Sequence, residues 1–366
     1  MRSQRTGGNP RSFFFAFFRK VVVRVKNLLL HLANGQNLTL EEARTAMNHI
    51  MRGEGTHAQM AAYLTLLKQK GETVTELTGS ALAMREHALE VILEERETLD
   101  MCGTGGDHSG TFNISTAASF ILAADGVPVA KHGNRASSSQ TGSADVLEAL
   151  GINISLEPSA ALESLRQHNF CFLFAQAYHP AMKHVAPVRR DLGFRTMFNI
   201  LGPLTNPAHP AYQVLGTPDD AIAEKMAHTL LNLGVKRAFV IHAADGLDEF
   251  SISAPTRVFD VHSSRVTSYD VSPSDFGLTT APREAILGGD AIKNAGIVRT
   301  IFEGEKGARR DVVVMNAAAG FLVMGRVKTF AEGARRAEAI LDEGRALQKL
   351  IDLQNHGTSA PKETAS

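Results

Sequence analysis

From Thr98 to Ile241, short apolar runs alternate with helix-patterned segments, and no other feature of the chain restricts its fold so tightly. Thr98 to Cys102 reads as a strand ending at a glycine loop, Ile114 to Ala124 as a helix, and Val127 to Ala130 as a short strand. Val146 to Leu150 closes a further helix, Cys171 to Phe174 is strand-like, and Tyr212 to Leu215 opens a strand that leads to a helix over Ala221 to Leu233. Ala238 to Ile241 is unbroken and apolar, as strands buried on both faces of a parallel sheet are. The alternation predicts an α/β fold, a mostly parallel central sheet flanked by helices.

Residues 25–95 lack that alternation and predict a smaller all-helical domain. Leu28, Leu29, Leu30 and Leu32 form one apolar face, and Thr39 with Glu42 three residues on is a capping box opening a helix to about Met51. Gln59 to Gln69 and Val74 to Met84 continue the helical pattern. The α/β domain is expected over 96–355, where Val312 to Met315, an Ala-rich stretch and charged helices over Ala331 to Leu353 lead to a polar tail at 356–366. Pro187, Pro203, Pro207 and Pro210 punctuate 186–210, which reads as a connector packing at the hinge between the two domains. Residues 1–24 contain SFFFAFF, but Arg19, Lys20 and Arg24 arrive long before the roughly 20 apolar residues a spanning helix needs. That segment is read as a disordered or mis-started extension, and no membrane association is expected.

Charge excludes a further class. Lys plus Arg and Asp plus Glu both number 38, so nothing global draws the chain to nucleic acid. The two cysteines, Cys102 and Cys171, cannot build a disulfide framework, which points to a reducing, cytoplasmic setting.

Local anion sites are another matter. Cys102-Gly103-Thr104-Gly105-Gly106-Asp107 places three glycines in four residues after a strand, leaving backbone amides free to converge on an anion. Asn113, Ser115 and Thr116 then fall at a helix N-terminus, where hydroxyls and unpaired amides favour phosphate. Neither a Walker A loop nor a dinucleotide fingerprint is present, and a tight turn with a cap is the bland alternative. Lys131-His132-Gly133-Asn134-Arg135, with Ser137 to Ser139 and Thr141 to Ser143, is a second polar run between a strand and a helix, placed at the sheet's carboxyl edge. Asp248 and Glu249 follow the apolar strand and suit a hard cation such as Mg²⁺, although acidic pairs are common on any surface. Arg189, Arg190 and Arg195 could grip a planar carboxylate, or be ordinary helix charges.

Taken together, CGTGGD at 102–107, KHGNR at 131–135, SSSQTGSAD at 137–145, RTMFNILGPLTNPA at 195–208 and LDE at 247–249 occur in an order and spacing that resemble the anthranilate phosphoribosyltransferase family. The resemblance runs from about residue 25 to 355. It implies a phosphoribosyltransferase and nucleoside phosphorylase type of fold, a homodimer, and transfer of phosphoribose from 5-phosphoribosyl 1-diphosphate (PRPP) to the anthranilate amine with release of diphosphate. Carried over residue by residue, it puts Gly103, Thr104, Gly105, Gly106, Asp107, Asn113, Ser115, Thr116, Lys131 and Ser143 around the diphosphate and phosphoribosyl group. It puts Gly103, His132, Asn134, His179, Arg189, Gly202 and Pro203 around anthranilate, and Ser115, Asp248 and Glu249 on magnesium, two ions per subunit. Lys131, Asp107 and Arg189 take the catalytic roles in this reading. At Gln140-Thr141 the chain departs from the family, which carries a basic or small residue followed by Ser or Cys, and residues 1–24 have no family counterpart. Two alternatives come from other classes. A pyrimidine nucleoside phosphorylase would need no acidic pair, and a non-catalytic nucleic-acid-binding relative would show a basic excess.

Overall fold

The computed structural model of the chain describes residues 26–136 and 140–358. The extension at 1–24, Ser137 to Ser139 and most of the polar tail lie outside the described residues. The chain forms two compact units, one holding residues up to Ala83 together with Ala181–Met197, the other Met84–Pro180 and everything from Phe198 on.

In the first unit a helix at 26–33 is followed by helices Leu40–Met51, His57–Lys70 and Val74–Glu86, the last of which ends beyond the unit's boundary. Thr39 caps Leu40–Met51 with the reciprocal box its sequence predicts, and Thr56 with Gln59 repeats the device one helix later. Glu76 is fully buried, yet its carboxylate accepts from Leu38 N, Thr73 N and Thr73 Oγ1 and meets Lys70 Nζ, each at 2.9 Å. A buried charge is tolerable only when paired and hydrogen-bonded in this way. Ala186–Leu192 joins the unit from far along the chain and buries Val188. The stretch read as one connector is therefore divided: up to Met197 it belongs to the helical unit, and from Phe198 to Pro210 to the α/β unit.

In the second unit a seven-stranded sheet has the order β3-β2-β1-β4-β5-β6-β7. The strands are β1 (Leu99–Gly103), β2 (Val129–Gly133), β3 (Phe170–Phe174), β4 (Tyr212–Gly216), β5 (Arg237–Ala243), β6 (Thr256–His262) and β7 (Arg265–Val271). The first five are parallel and the last two antiparallel, a hairpin edge that the sequence reading did not anticipate. Alternation along the strands divides their side chains between two covers. Leu99, Met101, Val129, Phe170 and Phe172 join a large core with helices Ile114–Ala124 and Ala308–Val323, whereas Ala130, Cys171 and Leu173 join a smaller one with Leu165 and Tyr178. Burial on both faces is why these strands read as continuous apolar runs.

After β1 the chain builds β2 and β3 to one side and then returns to place β4 on the other. The connections therefore reverse between β1 and β4, and in open α/β sheets ligands bind at the carboxyl ends of the strands flanking such a switch.

Candidate active site

The glycine loop leaves β1 at the switch point. Gly105 and Gly106 both take positive φ, +65° and +79°, which glycine adopts at no steric cost. Thr104 N donates to Gly216 O at the end of β4 (2.9 Å), so the loop begins by crossing the switch. The segment after β5 then folds into the same mouth, and it can do so because two neighbouring strands end in glycine. A Cβ on Gly216 would lie 1.7 Å from Asp248 O, and one on Gly103 would lie 2.4 Å from Asp248 Oδ2.

Seated there, Asp248 Oδ2 accepts from Gly105 N (3.0 Å) and Glu249 Oε1 accepts from Ser115 N (3.0 Å) at the start of helix Ile114–Ala124. The two carboxylates thus hold the glycine loop and the positive end of a helix dipole. Burial, reinforced by the charge of Asp107, pushes Asp248 well above the usual carboxylate range. Burial and the Asp248 charge do the same to Glu249. Both sites disfavour the anionic form of their carboxyl, a cost that an added positive charge would relieve. Lys131, 2 % exposed, donates to Met101 O and to Ser115 Oγ (3.3 Å), so it lies beneath the loop and supports Ser115 from below.

The segment of Glu249 is anchored from behind. Asp245 accepts from Ser251 Oγ (2.8 Å) and Ser253 Oγ (2.6 Å). Asn316, fully buried on helix Ala308–Val323, accepts from Phe250 N (3.1 Å) and donates to Phe250 O (3.2 Å).

Other residues expected around the phosphoribosyl group are arranged as follows. Asn113 donates to Thr141 O (3.3 Å) and accepts from Asn294 Nδ2 (3.1 Å), and Thr141 Oγ1 donates to Gly289 O (2.8 Å), so the two ligand-type loops are tied to each other and to a third. Asp107 is half-buried and accepts from Ser109 N (3.2 Å). Ser143 Oγ donates to Asn134 O (3.4 Å), whereas Thr116 is buried at 1 % exposure. Arg135, the last residue of the KHGNR run, is paired with Asp145 (2.9 Å) and Glu148 (2.5 Å).

Of the residues expected around anthranilate, Gly103, His132, Asn134, His179, Gly202 and Pro203 belong to the α/β unit, and Arg189 belongs to the helical unit. The His132 and His179 rings lie 5.1 Å apart, and His132 Nδ1 is 3.2 Å from Gly202 O. A carbonyl only accepts, so Nδ1 carries the proton and Nε2 presents a lone pair. Burial lowers His132 to about 3 and His179 to about 4, which keeps both neutral, and each has a buried Nε2 without a hydrogen-bond partner among the described residues. Asn134 is exposed and accepts from Gln176 Nε2 (3.3 Å). Arg189 is half-buried, and burial lowers its guanidinium below its ordinary value.

Sequence reasoning missed the layer behind these groups. The β1–β2 ladder registers at Leu99–Val129, and beyond it the Asp100 carboxylate accepts from His132 N (3.2 Å). Gln213 on β4 donates to Pro203 O (2.7 Å) and lies 3.5 Å from Asp100. The signal was there in principle, since a carboxylate and an amide inside apolar strands need buried partners.

Residues 95–347 match the glycosyl transferase family a/b domain and residues 26–88 the helical bundle domain of the same family. The chain is 51 % identical over 326 residues to the anthranilate phosphoribosyltransferase of Symbiobacterium thermophilum, covering 89 % of this chain and 96 % of the relative. It is 50 % identical over 325 residues to that of Petrotoga mobilis, covering 89 % and 94 %. The crystal structure of anthranilate phosphoribosyltransferase from Thermus thermophilus superposes with a TM-score of 0.86 at 41 % identity, over 92 % of this chain and 99 % of that one. The Saccharomyces cerevisiae enzyme in complex with PRPP and Mg superposes with a TM-score of 0.84 at 25 % identity, over 93 % and 98 %. Among the described residues, no helix is long and apolar enough to cross a membrane. With both of its units matched and its relatives covered almost end to end, the chain belongs to the anthranilate phosphoribosyltransferase family.

Proposed function

We propose that this chain transfers the 5-phosphoribosyl group of PRPP to the amine of anthranilate, giving N-(5-phosphoribosyl)anthranilate and diphosphate. The observation that carries the reading is the meeting of Asp248 with Gly105 N and of Glu249 with Ser115 N at the switch point of the sheet. Relatives of this length and identity are anthranilate phosphoribosyltransferases, which supports the choice of both substrates.

The acidic pair fits a divalent cation. Two carboxyls pushed upward by burial, Asp248 further by the charge of Asp107 and Glu249 by that of Asp248, form with the Ser115 hydroxyl a hard oxygen set that favours positive charge. No third His, Cys, Asp or Glu completes a metal cluster among the described residues. Mg²⁺ characteristically takes one or two carboxylates and draws its remaining ligands from water and substrate phosphates. Asp248, Glu249 and Ser115 are therefore proposed as its protein ligands, with two ions per subunit as the family resemblance implies. Bound there, magnesium would stabilise the negative charge on the departing diphosphate.

The chain's own groups perform the remaining work. The glycine loop and the first turn of helix Ile114–Ala124 are proposed to border the phosphates, with Thr104, Asp107, Asn113, Thr116 and Ser143 assisting. Breaking the bond from C1 to diphosphate gives the ribose oxocarbenium character, so groups that meet the growing leaving-group charge stabilise the transition state more than the ground state. The aromatic amine is unprotonated at neutral pH and needs no strong base to attack. It does shed a proton as the bond to C1 forms, and the free Nε2 lone pair of neutral His132 is suited to accept a hydrogen bond from it. Asn134, His179, Gly202 and Pro203 are proposed to border the acceptor, and Arg189 to pair with its carboxylate. Lys131 is assigned the task of holding Ser115 and offsetting Glu249. The protein is further proposed to act as a cytoplasmic homodimer.

The test follows anthranilate fluorescence in the presence of PRPP, with and without Mg²⁺. Loss that requires both substrates and the metal is expected, and persistent fluorescence with folded protein would overturn the reading. Arg189→Ala should raise the KM for anthranilate about tenfold or more and leave that for PRPP unchanged, since a charged hydrogen bond contributes about 1.5–3 kcal/mol. Equal effects on the two constants would remove that assignment.

A further inference from the structure

The run VVVMNAAAG at 312–320 stands out in the sequence for its apolar and alanine-rich character, not for Asn316. In the structure every residue of that run is buried, and Asn316 is its one polar side chain. An amide in such surroundings costs stability unless its groups are bonded. Asn316 satisfies that condition with three bonds, of which one stays in its own helix, Nδ2 to Val312 O at 2.9 Å. The other two engage both backbone groups of Phe250, N–H and C=O, as a neighbouring strand would. Phe250 is the residue after Glu249, and its ring is fixed against Phe276 and Phe330 at centroid distances of 5.6 and 5.8 Å.

The small residues that follow explain why this helix can serve as a reference frame. A Cβ on Gly320 would lie 2.6 Å from Leu122 Cδ1 in helix Ile114–Ala124, whose N-terminus receives Glu249. A Cβ on Gly333 of the next helix, Phe330–Asp342, would lie 2.8 Å from Ala318 Cα. The helix bearing Asn316 is thus packed closely on the helix that Glu249 caps, while its amide holds the backbone that carries Glu249.

We propose that Asn316 is the positioning residue of the acidic pair: by clamping both backbone groups of Phe250 it sets where Glu249, and through it Asp248, presents its carboxylate to the magnesium-linked diphosphate. The proposal rests on the functional reading above. Asn316 touches no substrate and acts wholly through the segment it holds.

The test compares wild type, Asn316→Asp, Glu249→Gln and the double variant. Asn316→Asp keeps the size and the acceptor for Phe250 N but loses both donors and sets a carboxylate oxygen against Phe250 O. Mn²⁺ binding in the presence of PRPP, followed by the paramagnetic signal of the free ion, is read beside the Mg²⁺ dependence of turnover and the KM for anthranilate. Expected for Asn316→Asp are about tenfold weaker Mn²⁺ binding and a matching rise in the Mg²⁺ requirement, the lower end of what outer partners of metal ligands cost. The KM for anthranilate should move by less than about twofold, and the Asn316→Asp effect should vanish in the Glu249→Gln background, because two residues acting through one contact are not additive. Unchanged Mn²⁺ binding, equal changes in both substrates' constants, or the full effect in both backgrounds would overturn the proposal. Should Asn316→Asp not fold, Asn316→Ser, which leaves space for a water to bridge to Phe250, carries the same comparison. A wild type that transfers no phosphoribose overturns the functional reading and this proposal with it, whereas an active wild type matched by its Asn316 variants overturns this proposal alone.

Discussion

His132 and His179 make stability depend on pH. Unfolded, each titrates near 6.5, and folded, burial holds them at about 3 and about 4. As pH falls below 6.5 the unfolded chain takes up protons that the native state refuses, so stability is lost by about 1.4 kcal/mol per unit per histidine until the folded values are reached. Urea unfolding at pH 7 and pH 5 should therefore show the wild type losing about 2 kcal/mol per histidine more than the double variant His132→Gln, His179→Gln. Identical losses would mean that both rings are solvated in the native protein. The histidine pair also shows how far single residues could be read. His132 stood out in KHGNR and His179 in the family pattern, but Asp100 was given no role and Gln213 and Asn316 did not stand out, because a buried polar side chain reveals its purpose only once its partner is known.

Among the structural elements, the ends of the strands matter more than their middles. β1 and β4 both finish in glycine because the backbone and carboxylate of Asp248 occupy the space a side chain would take. Gly216→Ala must displace Asp248 and should cost about 1–3 kcal/mol, as overpacking does, together with a weakened response to Mg²⁺. Gly296→Ala is the matched control. That glycine lies exposed inside helix Ala291–Phe302 with nothing within 4 Å of its missing Cβ, so alanine should stabilise the fold by about 0.4–1 kcal/mol. Thermal melts of the two variants check the pair, and a destabilised Gly296→Ala with a neutral Gly216→Ala would contradict it. Elements of this kind were legible where local physics sufficed. The helix over Ile114–Ala124 and the Thr39 capping box are found where their patterns put them. The β6–β7 hairpin was not read, because its outer strand is largely exposed and follows no apolar run.

At the scale of the whole molecule, the helical unit is assembled from two distant stretches, residues up to Ala83 and Ala181–Met197. A fragment of residues 26–83 lacks Ala186–Leu192 and is smaller than a chain that reliably buries enough surface to fold alone. Its far-UV circular dichroism should show little helix at 25 °C, and addition of a peptide spanning 181–197 should increase it. A fully helical, cooperatively melting fragment would show that the second stretch is dispensable. By itself the sequence determined what depends on neighbours along the chain: periodicity, caps, the positive-φ glycine loop, and through its ordered motifs the family. Only the tertiary structure decided that the 186–210 stretch divides between two units, that Lys131 lies under the glycine loop, and that Asn316 holds the segment of Glu249. Those outcomes depend on which distant groups share a buried space, and the free energy of desolvating and pairing them is fixed by the folded arrangement as a whole.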